Sequence, residues 1–394
     1  MRLKLAIVST HPIQYYAPIF RVLAQSSDIH PRVFFTWSQA AAAVPDAGFG
    51  AAIQWDIPLL DGYEHEFVPN VAQRPGLEHF WGLRNPTLTR SIEEWGADAV
   101  LVFGWNLSSH LHALRYFKGR IPVFFRGDST LLDMQPPLQR FARTMLLRWV
   151  YRHIDLAIAV GQNNSDYFVQ HGVPLRRIAV APHSIDTKRF AADELQHDAT
   201  ASRWRTELQI PEQALVLLYA GKLQEKKDPL LLLDAFLASD PSAHLVFCGN
   251  GVLEGEVRAR TNGHPRVRFL PFQNQSAMPA VYRLGDVFIL PSRGPGETWG
   301  LALNEAMASG RPVIASSKTG GARDLVRERI NGWTFESGNR AALVEVLAAV
   351  AGMDRPALRV MGEVAREASL GWSSETTAAR IAQIVMQFSP TRSR

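Results

Sequence analysis

The stretch 294–316, GPGETWGLALNEAMASGRPVIAS, carries two glutamates, Glu297 and Glu305, with seven residues between them and Gly300 close to the first. On one continuous helix they would stand roughly 80° apart in projection and about 12 Å apart along the axis, which makes them poor partners for each other. If Glu297 lies in a loop and the helix begins near Trp299 or Gly300, both carboxylates can reach one elongated ligand across the helix start. Free N–H groups there attract an anion. The ligand expected from this spacing has hydroxyls at both ends and an anion in the middle.

A second group of charges lies upstream. YAGKLQEKKDPLLLLDAF places Lys222 just after an apolar run and Lys227 at the start of the next helical pattern, five residues on. Two ammonium groups beside a strand-to-helix loop suit a diphosphate; two solvated loop lysines would read the same. AHLVFCGNGVLEGEV has Gly249, Gly251 and Gly255 but follows a later strand than a dinucleotide fingerprint requires. It reads as a turn where the backbone approaches a nucleoside. Phe272, after the run RVRFL, could contact a base or simply fill a loop.

Short apolar, β-branched runs alternating with helical patterns must position these residues. LKLAIVS, PRVFFTW, ADAVLVFG, IPVFFRG, DLAIAVG and IAVAPHS precede a polar stretch, DELQHDATASRW. The pattern then restarts with ALVLLYAGK, AHLVFCGNG, RVRFLPF, DVFILPS and RPVIASS. Strand, helix, strand in repetition implies parallel sheets covered by helices, here two doubly wound α/β units with ligands beyond the carboxyl ends of the strands. The expected domains are 1–190 and 191–370, with 371–394 forming a helix that crosses back to the first domain through Ala379, Ile381, Ile384, Val385 and Phe388. The loop GLRNPT around Pro86 reads as a surface excursion, and the tail PTRSR as the one disordered segment.

The totals agree with a globular protein. The chain has 394 residues, 46% hydrophobic and 20% charged, enough for two cores. The net charge is +5, and residues 1–190 hold 19 Lys/Arg against 15 Asp/Glu, so most of the excess lies there. Without a dense basic stripe and interleaved aromatics, nucleic acid is not an expected partner. The single cysteine, Cys248, lies in an apolar run and suits a cytoplasmic location. LAIV after the basic start is broken by STHP and reads as a strand, not a leader, and no run approaches the roughly 20 apolar residues of a membrane span.

In order and spacing, GKLQEKKDP, FCGNG, VRFLPF, DVFILPS and above all GETWGLALNEAMASGRPVIAS resemble the nucleotide-sugar half of retaining glycosyltransferases of GT-B architecture, the large family four. IAVAPHSIDTKRF resembles the family's junction segment, with His183 and Ser184 where Asn and Gly are usual. The resemblance covers roughly residues 150–375. It implies a nucleoside diphosphate sugar as the elongated ligand. Lys222, where most members have Arg, and Lys227 would neutralise its diphosphate. Glu297 would meet the sugar hydroxyls, Glu305 the ribose, and the N–H groups at Gly300 and Leu301 the phosphates. With no Asp-x-Asp signature, no metal or other cofactor is expected.

The first half matches less well. Where many members have a Gly-Gly loop after the first strand, this chain has STHPIQYYAPIF. His11 and Gln14 are acceptor-side candidates there, though a turn capped by Thr10 explains them equally. FFRGDST stands where many members carry a histidine near the reacting sugar, leaving Arg126 and Asp128 as candidates, with Asp128 as a helix N-cap the alternative.

These features lead to an expected transfer of sugar to a hydroxyl of a glycan or lipid-linked acceptor, with retention, in envelope or exopolysaccharide assembly. A catalytically inactive sugar-nucleotide-binding subunit and a GT-B epimerase are the alternatives. Finally, LQRFARTMLLRWVYR, 138–152, sets Arg140, Arg143, Arg148 and Arg152 opposite Leu138, Met145 and Trp149. Such a helix suits peripheral contact with an anionic membrane on its cytoplasmic face, or an apolar stripe packed on the sheet beneath solvated arginines.

Overall fold

The computed structural model describes residues 2–38, 44–46, 51–133, 136–239 and 242–388. The tail PTRSR lies outside them. The chain forms two compact units: Met1–Val44, Pro58–His183 and Ser374–Arg394 make the first, Pro45–Ile57 and Ser184–Ser373 the second. Residue 190, the expected junction, falls inside the short helix Thr187–Ala191 of the second unit.

The described strands, in chain order, are β1 Leu3–Ser9, β2 Ile29–Phe35, β3 Val44–Asp46, β4 Ala51–Ile53, β5 Glu64–Phe67, β6 Ala99–Phe103, β7 Val123–Arg126, β8 Leu156–Ala159, β9 Ile178–Val180, β10 Leu215–Ala220, β11 Ala243–Cys248, β12 Val267–Leu270, β13 Val287–Leu290, β14 Val313–Ser316 and β15 Gly332–Phe335. In the first unit seven strands run in the order β5-β2-β1-β6-β7-β8-β9, all parallel. Both faces are covered, so the strands carry apolar residues on each side. Leu5 and Ile7 of β1, with Leu101 of β6, point into one core, whereas Ala6, Val8 and Val100 point into the other.

The helix Ser374–Phe388 closes the first of these cores. Ala378, Ile381, Ile384 and Val385 are buried among β1, β6 and β8, and Phe388 meets Phe124 edge to face at 5.7 Å. Ala379 is exposed, and Ala378 takes the packing position. The loop around Pro86 is not merely a surface excursion. Asn85 is 5% exposed, and its Nδ2 donates to the carbonyls of Thr36, Val68 and Pro69. That amide ties three backbone segments together.

The second unit has six parallel strands in the order β12-β11-β10-β13-β14-β15. The order reverses between β10 and β13, which places the crevice for a ligand beyond the carboxyl ends of those two strands. Its core gathers Leu217, Tyr219, Phe247, Ile289 and Ile314 with the helices Pro229–Ser239 and Arg340–Ala351. The segment 45–57 joins this unit: Ser276 N–H donates to the Asp56 carboxylate at 2.9 Å and Asn274 Nδ2 to the Gln54 carbonyl at 2.8 Å.

Candidate active site

The loops after β10 and β13 carry the charges, and backbone bonds hold them together. Arg293 N–H donates to the Lys226 carbonyl at 3.0 Å, so the β13 loop lies on the β10 loop. Across this contact Lys227 Nζ meets Glu297 Oε2 at 2.7 Å, with Lys226 Nζ at 3.9 Å from the same oxygen. Ser292 Oγ donates to it at 3.3 Å. Glu297 is 6% exposed, and burying a carboxylate to that depth is costly without such partners. Lys222 lies two residues past β10, in a loop fixed by the Tyr219 hydroxyl, which donates to the Lys222 carbonyl at 2.6 Å. Burial, then the neighbouring Glu297 charge, pushes the Tyr219 phenol well up, so it stays a donor.

Glu297 is in the loop, and the helix runs Ala302–Ala308, two to three residues later than the expected start. Gly300 and Leu301 form the turn into it, and Leu301, at the cap position, offers no side-chain acceptor to the first N–H groups. Gly300 has φ +87°, and a Cβ there would lie 2.6 Å from Thr319 Cγ2 and 2.9 Å from Leu290 Cδ2. Only glycine fits that turn. Glu305 is 3% exposed on the helix, and the Tyr282 hydroxyl donates to its Oε2 at 2.6 Å.

Gly249 and Gly251 allow a close approach, but to protein. A Cβ at Gly249 would lie 2.3 Å from the Gly221 carbonyl oxygen, and one at Gly251 2.4 Å from that of Leu223. Backbone bonds from Gly221 N–H to Cys248 O and from Leu223 N–H to Asn250 O link the two loops. The glycine turn therefore buttresses the loop that carries Lys222. Phe272 is half-buried two residues past β12.

Sequence reasoning missed several residues of this site. Ser292, Lys226 and Tyr282 touch the two glutamates directly. Thr319, Gly320 and Gly321, after β14, back the Glu297 loop: Gly320 N–H donates to the Glu297 carbonyl and Gly321 N–H to that of Trp299. A Cβ at Gly320 would lie 1.8 Å from the Thr298 carbonyl oxygen. The Gly-Gly pair in the loop that follows the apolar run VIA was the available signal.

At the strand ends of the first unit the charged and polar groups are engaged differently. Arg126 is not presented to a ligand: it is 2% exposed, and its Nη1 and Nη2 donate to the carbonyls of Ala181 and Pro182 at 2.7 and 2.9 Å. Burial lowers its pKa to about 10. His183 stacks on Tyr16 at 6.2 Å, and burial with Arg126 nearby lowers its pKa to about 3. Asp128 is half-buried and is not the N-cap of the next helix, which begins at Pro137 after Pro136. Thr10 Oγ1 lies 3.0 Å from His11 Nδ1, and the helix Ala17–Ala24 starts without a side-chain cap. His11 and Gln14 are half-buried in the β1 loop, and His11 meets Trp37 edge to face at 5.9 Å.

The helix Pro137–Tyr151 turns Leu147, Val150 and Tyr151 to the core. The stripe expected as its packing face is in water: Leu138 is 79% exposed, Met145 50% and Trp149 36%, with Phe141 beside it at 65%. Arg140, Arg148 and Arg152 are exposed beside it, while Arg143 Nε donates to the Tyr167 hydroxyl at 3.0 Å. Among the described residues no helix is long and apolar enough to cross a membrane.

Solved structures share this architecture. HepE of Anabaena in complex with UDP superposes with a TM-score of 0.73 at 19% identity, covering 98% of this chain and 100% of that one. Sucrose-phosphate synthase from Thermosynechococcus elongatus gives 0.71 at 18% identity, covering 98% and 99%. Two doubly wound parallel-sheet units of this kind are the GT-B fold. The family model "Glycosyltransferase Family 4" matches residues 26–189, and "Glycosyl transferases group 1" matches 201–368. The chain belongs to this glycosyltransferase family. A D-inositol 3-phosphate glycosyltransferase of Geodermatophilus obscurus is 33% identical over 225 residues, 53% of this chain and 48% of its own. Sulfoquinovosyl transferase SQD2 of Arabidopsis thaliana is 28% identical over 248 residues, 60% and 45%. The chain thus spans about half the length of the curated relatives it matches.

Proposed function

We propose that the chain moves a sugar from a nucleoside diphosphate sugar to a hydroxyl acceptor with retention at the anomeric carbon. The observation that carries this reading is the Lys227–Glu297 pair at the strand-order reversal of the second sheet, with Glu305 oriented by Tyr282 on the helix behind it. The spacing suits a donor with its sugar at Glu297, its diphosphate at Lys227, Lys222 and the N–H groups of Gly300 and Leu301, and its ribose at Glu305. Gly249, Gly251 and Phe272 border the nucleoside end. HepE was solved with UDP and with UDP-glucose, which supports a nucleotide-sugar partner here.

In the reaction the bond between the anomeric carbon and the diphosphate oxygen breaks, and the acceptor oxygen bonds to that carbon on the same face. The acceptor's proton passes to the departing phosphate oxygen, so no side chain need act as base. The lysines and backbone N–H groups stabilise charge as it builds on the diphosphate, an effect worth several kcal/mol in a preorganised site. His11, Gln14 and Asp128 remain the acceptor-side candidates of the first unit. The reading includes no metal. With the donor identified, NMR of the product should show the donor's anomeric configuration and turnover should persist in EDTA; an inverted product, or donor binding without turnover, would overturn it.

The exposed face of the helix Pro137–Tyr151 supports peripheral contact with an anionic membrane and hence a lipid-linked or envelope-glycan acceptor. Each basic residue near such a surface contributes about 1 kcal/mol, and Leu138, Phe141 and Met145 supply apolar contact. Sedimentation with vesicles of anionic lipid should be salt-sensitive and lost when Arg140, Arg148 and Arg152 become Gln. Equal binding to neutral vesicles would remove this part of the reading.

A further inference from the structure

The second unit has another polar concavity, at the amino ends of its strands, opposite the loops that carry Lys227 and Glu297. Asp286, immediately before β13, and Arg311, two residues before β14, line it, together with helix residues 194–206 and 355–366. Its volume, about 680 Å³, is that of a small-molecule pocket. The lining holds six arginines against five carboxylates.

Most of those charges are paired. Asp286 accepts from Arg205 at 3.1 Å and from Arg355 at 2.8 Å, and Glu194 accepts from Arg366 at 2.7 Å. Arg283, its side chain wholly buried, donates to the Ser309 and Phe190 carbonyls, while its Nε is 3.6 Å from Asp198 and makes no hydrogen bond. Arg311 stands apart. Its Nε is buried without a hydrogen bond, and no carboxylate among the described residues lies within ion-pair distance of it. Burial lowers its pKa to about 10, with the Asp286 charge opposing the fall, so it remains a cation. A guanidinium N–H held in the interior without an acceptor is costly unless something offsets it.

We propose that this pocket binds the phosphate of a small polyhydroxylated phosphomonoester, with Arg311 as the anion-binding group. Guanidinium forks match phosphate oxygens, and charge-assisted bonds of that kind are the strong ones. The volume exceeds what a phosphate alone would fill, and Asp198, Ser202, Thr206, Gln213 and Glu363 on the walls suit hydroxyl groups. The pocket also adjoins the proposed donor site through structure: Arg283 follows Tyr282 on one helix, and Arg283 Nη1 holds Ser309 at the end of the helix that carries Glu305.

Isothermal titration of the full chain with glycerol 3-phosphate tests the proposal, with glycerol and with chloride at equal ionic strength as controls. The Lys227→Ala variant separates this pocket from the donor site. Binding is expected in the wild type and in Lys227→Ala, about ten-fold weaker in Arg311→Gln, and weakened less in Arg359→Gln, an exposed rim position that keeps the test open if Arg311→Gln fails to fold. Binding lost in Lys227→Ala, unchanged in both arginine variants, or matched by glycerol or chloride would overturn it.

Discussion

Both sheets carry charged residues at or beyond the carboxyl ends of their strands, and the charges are used in opposite ways. In the second unit Lys227 and Glu297 face each other across the β10 and β13 loops while keeping some access to water, with 18% and 6% of their side chains exposed. In the first unit Arg126, at the end of β7, is sealed in and holds the carbonyls of Ala181 and Pro182. A charge at a strand end is thus no sign of a site in itself. What distinguishes the two is whether the partners are side chains that a ligand can replace or backbone groups that must stay bonded.

Substitution at the two places should separate activity from stability. Lys227→Ala and Glu297→Ala are expected to lower kcat by about 100-fold or more, as loss of a preorganised charge at the reacting group does, with the melting temperature little changed. Arg126→Met should do the reverse. Two buried carbonyls lose their donors, at about 2 kcal/mol in all, and donor KM stays near wild type. Steady-state kinetics beside denaturant unfolding checks both. A large kcat loss in a well-folded Arg126→Met would erase the contrast.

Acid sharpens the comparison further. His110 is wholly buried at the ends of β2 and β6, with Nδ1 2.8 Å from the Phe103 carbonyl oxygen and Nε2 2.9 Å from Thr36 Oγ1. Burial lowers its pKa to about 4, and that of His183 to about 3. Both values lie below the usual 6.5, so the unfolded chain binds protons that the folded chain refuses. Stability that is present above pH 6.5 is then lost as pH falls toward 4 and 3, by roughly 3 kcal/mol for His110 alone over the whole window. Thermal unfolding from pH 7 to 4.5 should show the fall, and His110→Asn should flatten it. An unchanged slope in that variant would assign the effect to other groups.

Much of the architecture was legible because buried parallel strands write themselves as apolar runs, and all five runs of the second half became strands. The strands that escaped notice are edge strands. β5 is EHEF, with three of its four residues polar, and β15, GWTF, begins with a glycine whose Cβ would strike the Val313 carbonyl at 2.3 Å. Spacing made Glu297 and Glu305 poor partners on one helix and left Glu297 in a loop as the alternative, which is where it lies. Spacing did not point to Tyr282 and Ser292, because their contacts depend on a third dimension that a lone tyrosine or serine does not announce. Helix Pro137–Tyr151 shows the same limit: Leu138, Met145 and Trp149 read as the stripe that would pack on the sheet, and Leu147, Val150 and Tyr151 took that place.

The central claim, that Lys227 and Glu297 mark a donor site, is tested most directly by ligand-induced stabilisation. A panel of nucleoside diphosphate sugars is scanned by thermal shift against the wild type, Lys227→Ala and Arg126→Met. A donor at about 100 times its Kd stabilises the native state by about 2.7 kcal/mol. At least one sugar nucleotide is expected to raise the melting temperature of the wild type and of Arg126→Met, each from its own baseline, and to lose most of that shift in Lys227→Ala. A full shift retained in Lys227→Ala, or no shift in the wild type with any nucleotide sugar, would contradict it.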